Sequence, residues 1–253
     1  MANDVLPLYE LKERLRRSEE TIRIAGPGGS ARSYFLARFL ADLQRPCVVV
    51  APDRKEAERV YKELQFFLSE SGPGDAFSGR LHTFPAYDLT PLTGLSPHKE
   101  VVTRRLEALY ALLSHKNPLV VACLDAICFR ILPKSSFVGA LEYVESGEDL
   151  EREALIEKLE ANGYQRTALV EERGDYSVRG GVVDLFAPAY SFPLRLEFWG
   201  DRLESIRQFD SVSQRSRKSL REAVLLPASE IVMARENLKR ARSMGRLPWR
   251  SGQ

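Results

Sequence analysis

Apolar runs and helical periodicities alternate through the first half of the chain. The runs TIRIA (21–25), CVVVA (47–51), RLHTF (80–84) and LVVACL (119–124) are each followed by a stretch in which apolar residues recur every three or four positions: 31–43, DRKEAERVYKELQFFLSE (53–70), 98–114 and DAICFRIL (125–132). A strand that is apolar without alternation is buried on both faces, as in a parallel sheet flanked by helices. The pattern predicts an α/β fold: a P-loop-NTPase-like, doubly wound parallel sheet over residues 1–138.

After residue 138 the pattern changes. GALEYVESGEDLEREALIEKLEANGY (139–164) predicts a strand and then a helix that buries Leu150, Leu155, Ile156 and Leu159 and stops at Gly163. The short runs YSVR (176–179), VVDLF (182–186), LRLEFW (194–199) and RLESIRQF (202–209) follow, punctuated by turns. These describe a mostly antiparallel, smaller α+β module inserted over 139–224. From 225 to 253 the chain starts a basic helix, SEIVMARENLKRARSMGRLPW, with no core of its own, and reads as the start of a truncated third segment.

Two glycine turns organise the module. Gly200 and Asp201 form a two-residue turn of type II′. Pairing across it puts Leu194, Leu196, Phe198 and Leu203 on a core face, and Arg195, Glu197, Trp199, Arg202, Glu204 and Ile206 on an exposed one. Trp and Arg together on an exposed strand face are the residue types that dominate protein-interface hot spots; the alternative is a Trp half covered by charged stems. Upstream, Gly180 and Gly181 predict a tight turn or bulge that leaves Arg179 at a strand end. The triplet Arg173, Gly174, Asp175 reads as a turn rather than an integrin-type recognition signal.

Composition adds bounds rather than chemistry. The 253 residues allow about two domains. A net charge of +2 gives no general case for nucleic-acid binding, so any basic surface is local. Cys47, Cys123 and Cys128 sit in apolar runs and read as buried thiols of a reducing compartment, not as a disulfide frame or a zinc site. Neither a charged-then-apolar leader nor a run of about 18 apolar residues is present, which points to the cytoplasm and away from membranes.

The stretch GPGGSARS (26–33) stands between the first apolar run and the first helix, where a phosphate-binding loop would stand. The frame G-x-x-x-x-G-K-[ST] keeps Gly26 and Ser33 but has Ala31 for its second glycine and Arg32 for its lysine. Ala31 lacks glycine's backbone freedom, and Arg32 is a wide planar fork where a slender ammonium threads between phosphates. The loop therefore reads as P-loop-shaped and not nucleotide-competent, or as an ordinary strand-to-helix turn. Asp53, Asp88 and Asp125 follow strand ends and read as helix N-caps. His82, His98 and His115 have no recognisable ligand or triad partner.

The stretches RGDYSVRGGVVDLFAP, PLRLEFWGDRLESIRQFD and SQRS, with APD at 51–53, SPHKEVVTRRLEALYAL at 96–112 and LLPASE at 225–230, resemble the UvrB-like N-terminal region of the bacterial transcription-repair coupling factor (Mfd) family. The resemblance runs over nearly the whole chain. UvrB itself is the nearest competitor, but it keeps an intact Walker A loop and carries a long Tyr-rich hairpin for which 84–119 leaves no room. The resemblance implies a UvrB-derived lobe that has lost its ATPase, needing neither ATP nor magnesium, within a parent whose ATP-dependent DNA translocase lies elsewhere. It further implies that the module corresponding to UvrB domain 2 recruits UvrA to stalled RNA polymerase, with RNA polymerase and DNA handled by other domains. The positions carried over are Arg179, Arg195 and an aromatic at Trp199, where relatives more often have Phe; Glu197, on the same face, would orient an Arg or pair with a partner cation. Two other classes compete: a nucleotide-hydrolysing enzyme using Arg32 and Ser33, and a DNA-binding module using Arg215, Arg217, Lys218 and Arg221 or the basic tail of 235–250.

Overall fold

The computed structural model describes residues 8–17, 21–26, 28–41, 43, 45–69, 79–88, 96–233 and 237–239. The chain is mixed α/β and divides into two compact units, Met1–Phe84 with Ala111–Ile127, and Pro85–Tyr110 with Cys128–Gln253. Most of the tail expected to form a basic helix lies outside the described residues.

In the first unit, α1 (Leu8–Arg17) and α2 (Ser30–Ala41) precede β1 (Cys47–Ala51), α3 (Arg54–Ser69) and β2 (Leu81–Phe84); the last turn of α4 (Lys99–Ser114), β3 (Leu119–Cys123) and the short α5 (Leu124–Ile127) complete it. The strands form a sheet in the order β1-β3-β2, with both pairings parallel. All five residues of β3 are buried, as an apolar central strand requires. Helix α3 packs through Ala57, Val60, Leu64 and Leu68, spaced for one helical face. Asp53 caps it, accepting a hydrogen bond from the Glu56 backbone N–H at 2.8 Å.

Two local expectations fail here. The run at 21–25 forms no strand. It alternates Ile with Thr and Arg, so it offers one apolar row where an inner parallel strand needs two, and Ile24 is half exposed. The helix expected at 125–132 closes after Ile127, which leaves Cys128, Phe129 and Ile131 exposed. Of the three thiols only Cys123 is buried; Cys47 is half-buried, and burial pushes its pKa up. Asp88 accepts from the His98 N–H at 3.4 Å, just before α4, and Asp125 lies inside α5 rather than capping it.

The second unit holds the start of α4, α6 (Lys134–Ala140), β4 (Glu142–Glu145), α7 (Arg152–Ala161), β5 (Gln165–Arg166), β6 (Asp175–Arg179), β7 (Val182–Leu185), β8 (Leu194–Trp199), β9 (Arg202–Phe209), β10 (Ser216–Leu220) and β11 (Glu222–Leu225). Strands β5 to β10 make one six-stranded sheet in the order β10-β9-β8-β7-β6-β5, antiparallel except for β5 beside β6. Strands β11 and β4 pair separately. Leu155 and Leu159 of α7 belong to one core with Val183, Leu185, Leu194, Leu196, Phe198 and Leu203, and Leu150 and Ile156 pack at its margin. The helix ends as expected, with Gly163 at a φ of 87°.

Both glycine turns form. Arg179 pairs with Val182 across Gly180 and Gly181, and Trp199 pairs with Arg202 across Gly200 and Asp201. Each has a positive φ at its first position only, 59° at Gly180 and 61° at Gly200, the sign pattern of a II′ turn. Beyond the second turn the register departs from simple alternation. Phe198 pairs with Leu203 but Glu197 pairs with Ser205, so Glu204 is an extra residue in β9. The bulge reverses the parity of everything after it. Ile206, expected outside, is 1% exposed and belongs to the core, and Arg207 takes the outer face opposite Arg195.

Candidate functional site

The GPGGSARS loop enters α2 at Ser30, with positive φ at Gly26 and Gly29. Two of its polar side chains are already engaged by α3. Arg32 is ion-paired with Glu56, and the Ser30 hydroxyl donates to Glu63 Oε1 at 2.9 Å. Ser33 is fully buried, and its hydroxyl lies beside Glu63 without a well-aligned hydrogen bond. That hydroxyl contributes most to holding the Glu63 carboxyl below its usual range, ahead of Ser30 and Arg59 and against the effect of burial. Ala31 is exposed in the first turn. An incoming phosphate would meet two carboxylates and a guanidinium already spent on one of them.

The outer face of the six-stranded sheet is different. The pairings Ser177 to Asp184, Asp184 to Arg195 and Arg195 to Arg207 make one row across β6, β7, β8 and β9, and Arg179, Val182, Glu197 and Ser205 make the next. Asp184, with 2% of its side chain exposed, is the hub. It accepts from Arg195 Nε at 2.7 Å through Oδ1, and through Oδ2 from Arg195 Nη2 at 2.9 Å and Arg179 Nη2 at 2.6 Å. The carboxylate is the first cause of the raised Arg195 pKa. Arg195 also lies over the Phe209 ring, 4.6 Å from its centroid, and donates to Gln214 Oε1 at 3.4 Å. It is 19% exposed, whereas Arg179 is 53% exposed.

Glu197 orients an arginine, but the arginine is Arg207: its Oε2 accepts from Arg207 Nη2 at 2.7 Å and from the Ser205 hydroxyl at 2.6 Å. Trp199, at the hairpin end, is 81% exposed and not covered by charged stems. Arg195, Glu197 and Trp199 therefore share the expected face, and Arg179 reaches Asp184 from the adjacent hairpin. Sequence reasoning missed Asp184, Arg207 and Gln214. Asp184 was visible as a lone acid in the apolar run VVDLF; Arg207 was hidden by the bulge.

Several of the other candidate groups are engaged elsewhere. Asp175 of the Arg-Gly-Asp triplet accepts from the Glu172 N–H at 2.9 Å and pairs with Lys99 at 3.1 Å, with Gly174 at a φ of 86°, which makes the triplet a turn. In the basic cluster, Arg217 lies 4.0 Å from the centroid of the Phe192 ring and 3.7 Å from Asp210, and Arg221 pairs with Glu145 at 3.1 Å. The tail of 235–250 lies, apart from 237–239, outside the described residues. No helix among the described residues is long and apolar enough to cross a membrane.

The UvrB interaction domain family matches residues 143–231, the stretch that holds the whole six-stranded sheet. The chain is 37% identical to a transcription-repair-coupling factor of Myxococcus xanthus over 95% of its own length and 20% of the relative's. It is 28% identical to that of Escherichia coli K12, over 86% of its length and 18% of the relative's. A UvrABC system protein B from Acinetobacter baylyi is 28% identical over 86% of this chain and 33% of its own. The chain thus spans about a fifth of the coupling factors it matches, in their N-terminal region.

Proposed function

We propose that this chain, which carries a UvrB interaction domain and matches the N-terminal region of transcription-repair-coupling factors, is the module that recruits UvrA in transcription-coupled nucleotide excision repair. The observation that carries the reading is the outer face of the sheet: Arg179 and Arg195 side by side on the buried Asp184 carboxylate, with Trp199 bare at the hairpin end. An exposed aromatic beside pre-oriented guanidiniums is the composition of an interface hot spot. Among the described residues, Asp184 and Gln214 take the Nη2 group of Arg179 and the Nε and Nη2 groups of Arg195, which leaves further N–H groups on both arginines to donate to a partner without leaving Asp184.

The first unit is a UvrB-like, P-loop-NTPase-like lobe that does no nucleotide chemistry, because Arg32 and Ser30 are committed to the acids of α3. The fragment is therefore not an enzyme and uses neither ATP nor magnesium. The parent is an ATP-dependent DNA translocase acting in the cytoplasm, whose other domains meet RNA polymerase and DNA. Calorimetric titration of UvrA into this chain tests the recruiting role. Arg195→Ala is expected to cost about 2 kcal/mol, roughly thirtyfold in affinity, with the circular dichroism spectrum unchanged. Binding that survives the substitution at full strength refutes the assigned face. A titration with millimolar magnesium-ATP is expected to be flat, and measurable binding lost in Ser33→Ala would restore the nucleotide reading.

A further inference from the structure

The two arginines of the outer face are not held alike. Asp184 engages Arg195 through two parallel hydrogen bonds and Arg179 through one. Gln214 adds a third bond to Arg195. Among the described residues Gln214 is the one non-glycine with a positive φ, 59°. Left-handed backbone is costly for a side chain with a Cβ and persists where surrounding contacts impose it. Here the Gln214 N–H donates to Asp210 O at 2.8 Å, its Nε2 donates to Ser211 O at 2.7 Å, and Asp210 in turn accepts from the Ser213 N–H and hydroxyl at 2.8 and 2.9 Å. The corner between β9 and β10 is thus a braced support behind Arg195, with Phe209 as its floor.

We propose that Asp184 and Gln214 are positioning residues of the UvrA contact, which fix the guanidiniums of Arg195 and Arg179 in the orientation the partner meets. The proposal rests on the UvrA reading. A long arginine immobilised before binding loses less side-chain freedom on association, so its hydrogen bonds to a partner count more fully. Asp184 also holds two like charges together that would otherwise separate. Arg195 supplies the fixed element of the pair; Arg179, with one bond and greater exposure, supplies the adjustable one.

The test is a double-mutant cycle in the whole chain, read by calorimetry with UvrA. Asp184→Asn keeps the shape and removes the charge, and is expected to weaken binding about tenfold, the scale of a charge-assisted hydrogen bond. In an Arg195→Ala background the same substitution is expected to cost no more than about threefold, because its main client is gone. An equal loss in both backgrounds would mean that Asp184 acts only through the fold, and unchanged or tighter binding by Asp184→Asn would mean that it merely neutralises; either overturns the proposal. Gln214→Asn tolerates the left-handed backbone but is too short to reach Arg195, and is expected to weaken binding about threefold only while Arg195 is present. It carries the test by itself if Asp184→Asn fails to fold, and no loss there is then decisive against the proposal. If Arg195→Ala alone leaves UvrA binding intact, the UvrA reading fails, an outcome distinct from one in which Arg195→Ala weakens binding and neither positioning variant does.

Discussion

Gly181 and Gly200 occupy matching two-residue turns and are glycine for different reasons. A Cβ on Gly181 would stand 2.6 Å from the carbonyl oxygen of Phe198, whose own N–H donates to Gly181 O at 2.7 Å. That neighbour is backbone of the central hairpin and cannot swing aside. A Cβ on Gly200 would meet nothing within 4 Å, so the demand there is only the φ of 61°. Gly200→Ala is accordingly expected to cost about 1 kcal/mol, the penalty of a left-handed residue. Gly181→Ala is expected to cost about 1–3 kcal/mol through overpacking against β8. Urea denaturation monitored by circular dichroism ranks the two, and equal midpoints would show that the Phe198 contact relaxes freely.

At the level of the element, β9 buries Leu203 and Ile206, three residues apart, which no regular strand does. The extra residue, Glu204, reconciles the turn at Gly200 with the core downstream and delivers Arg207 to the outer face beside Glu197. Ile206→Ala is therefore expected to cost about 2–5 kcal/mol in urea unfolding, the range for a truncated buried aliphatic. Glu204→Ala, which removes an exposed carboxylate paired with Arg202 at 3.2 Å, is expected to change stability by no more than about 0.5 kcal/mol. Strict alternation predicts a small effect at Ile206, so a loss that small would remove the bulge from the account.

Within the second unit, a buried ion pair joins residues far apart in sequence. Arg105 of α4, fully buried, donates to Glu230 at 2.5 and 3.2 Å and to Pro85 O at 2.8 Å, and lies over the Tyr87 ring. Burial first, and then the Glu230 charge, push Tyr87 up to about 12. The pair ties the chain just beyond β11 to a helix 125 residues earlier. Arg105→Ala would strand Glu230 in a nearly closed site and is expected to cost about 3–5 kcal/mol. Replacing both partners together, Arg105→Met with Glu230→Leu, is expected to recover much of that loss. A single variant as stable as the parent would show that water reaches the site. Both residues lie in stretches that carry the family resemblance, SPHKEVVTRRLEALYAL and LLPASE, and the fold supplies a physical link between them.

By itself the sequence determined the features whose cause is local. Apolar runs and their periods marked β1 to β3, α3, α7 and the four strands β6 to β9, because each period reports one element's own faces. Gly180-Gly181 and Gly200-Asp201 marked both hairpins, because only certain residues accept their dihedrals. Alternation up to the turn put Arg195, Glu197 and Trp199 on one face. Only the tertiary structure decided what depends on pairing between distant residues. The run at 21–25 looked like a strand, but an apolar pattern does not say whether a two-faced slot is there to receive it. The bulge at Glu204 reversed the parity of Ile206 and Arg207, and a one-residue shift is invisible until the partner strand is known. Asp184 became the shared anchor of Arg179 and Arg195 because neighbouring strands brought three separate side chains within hydrogen-bonding reach, and Arg32 was spent on Glu56 because α3 lies beside the loop. A carboxylate in a strand states a charge; its partners are set by the sheet that closes around it.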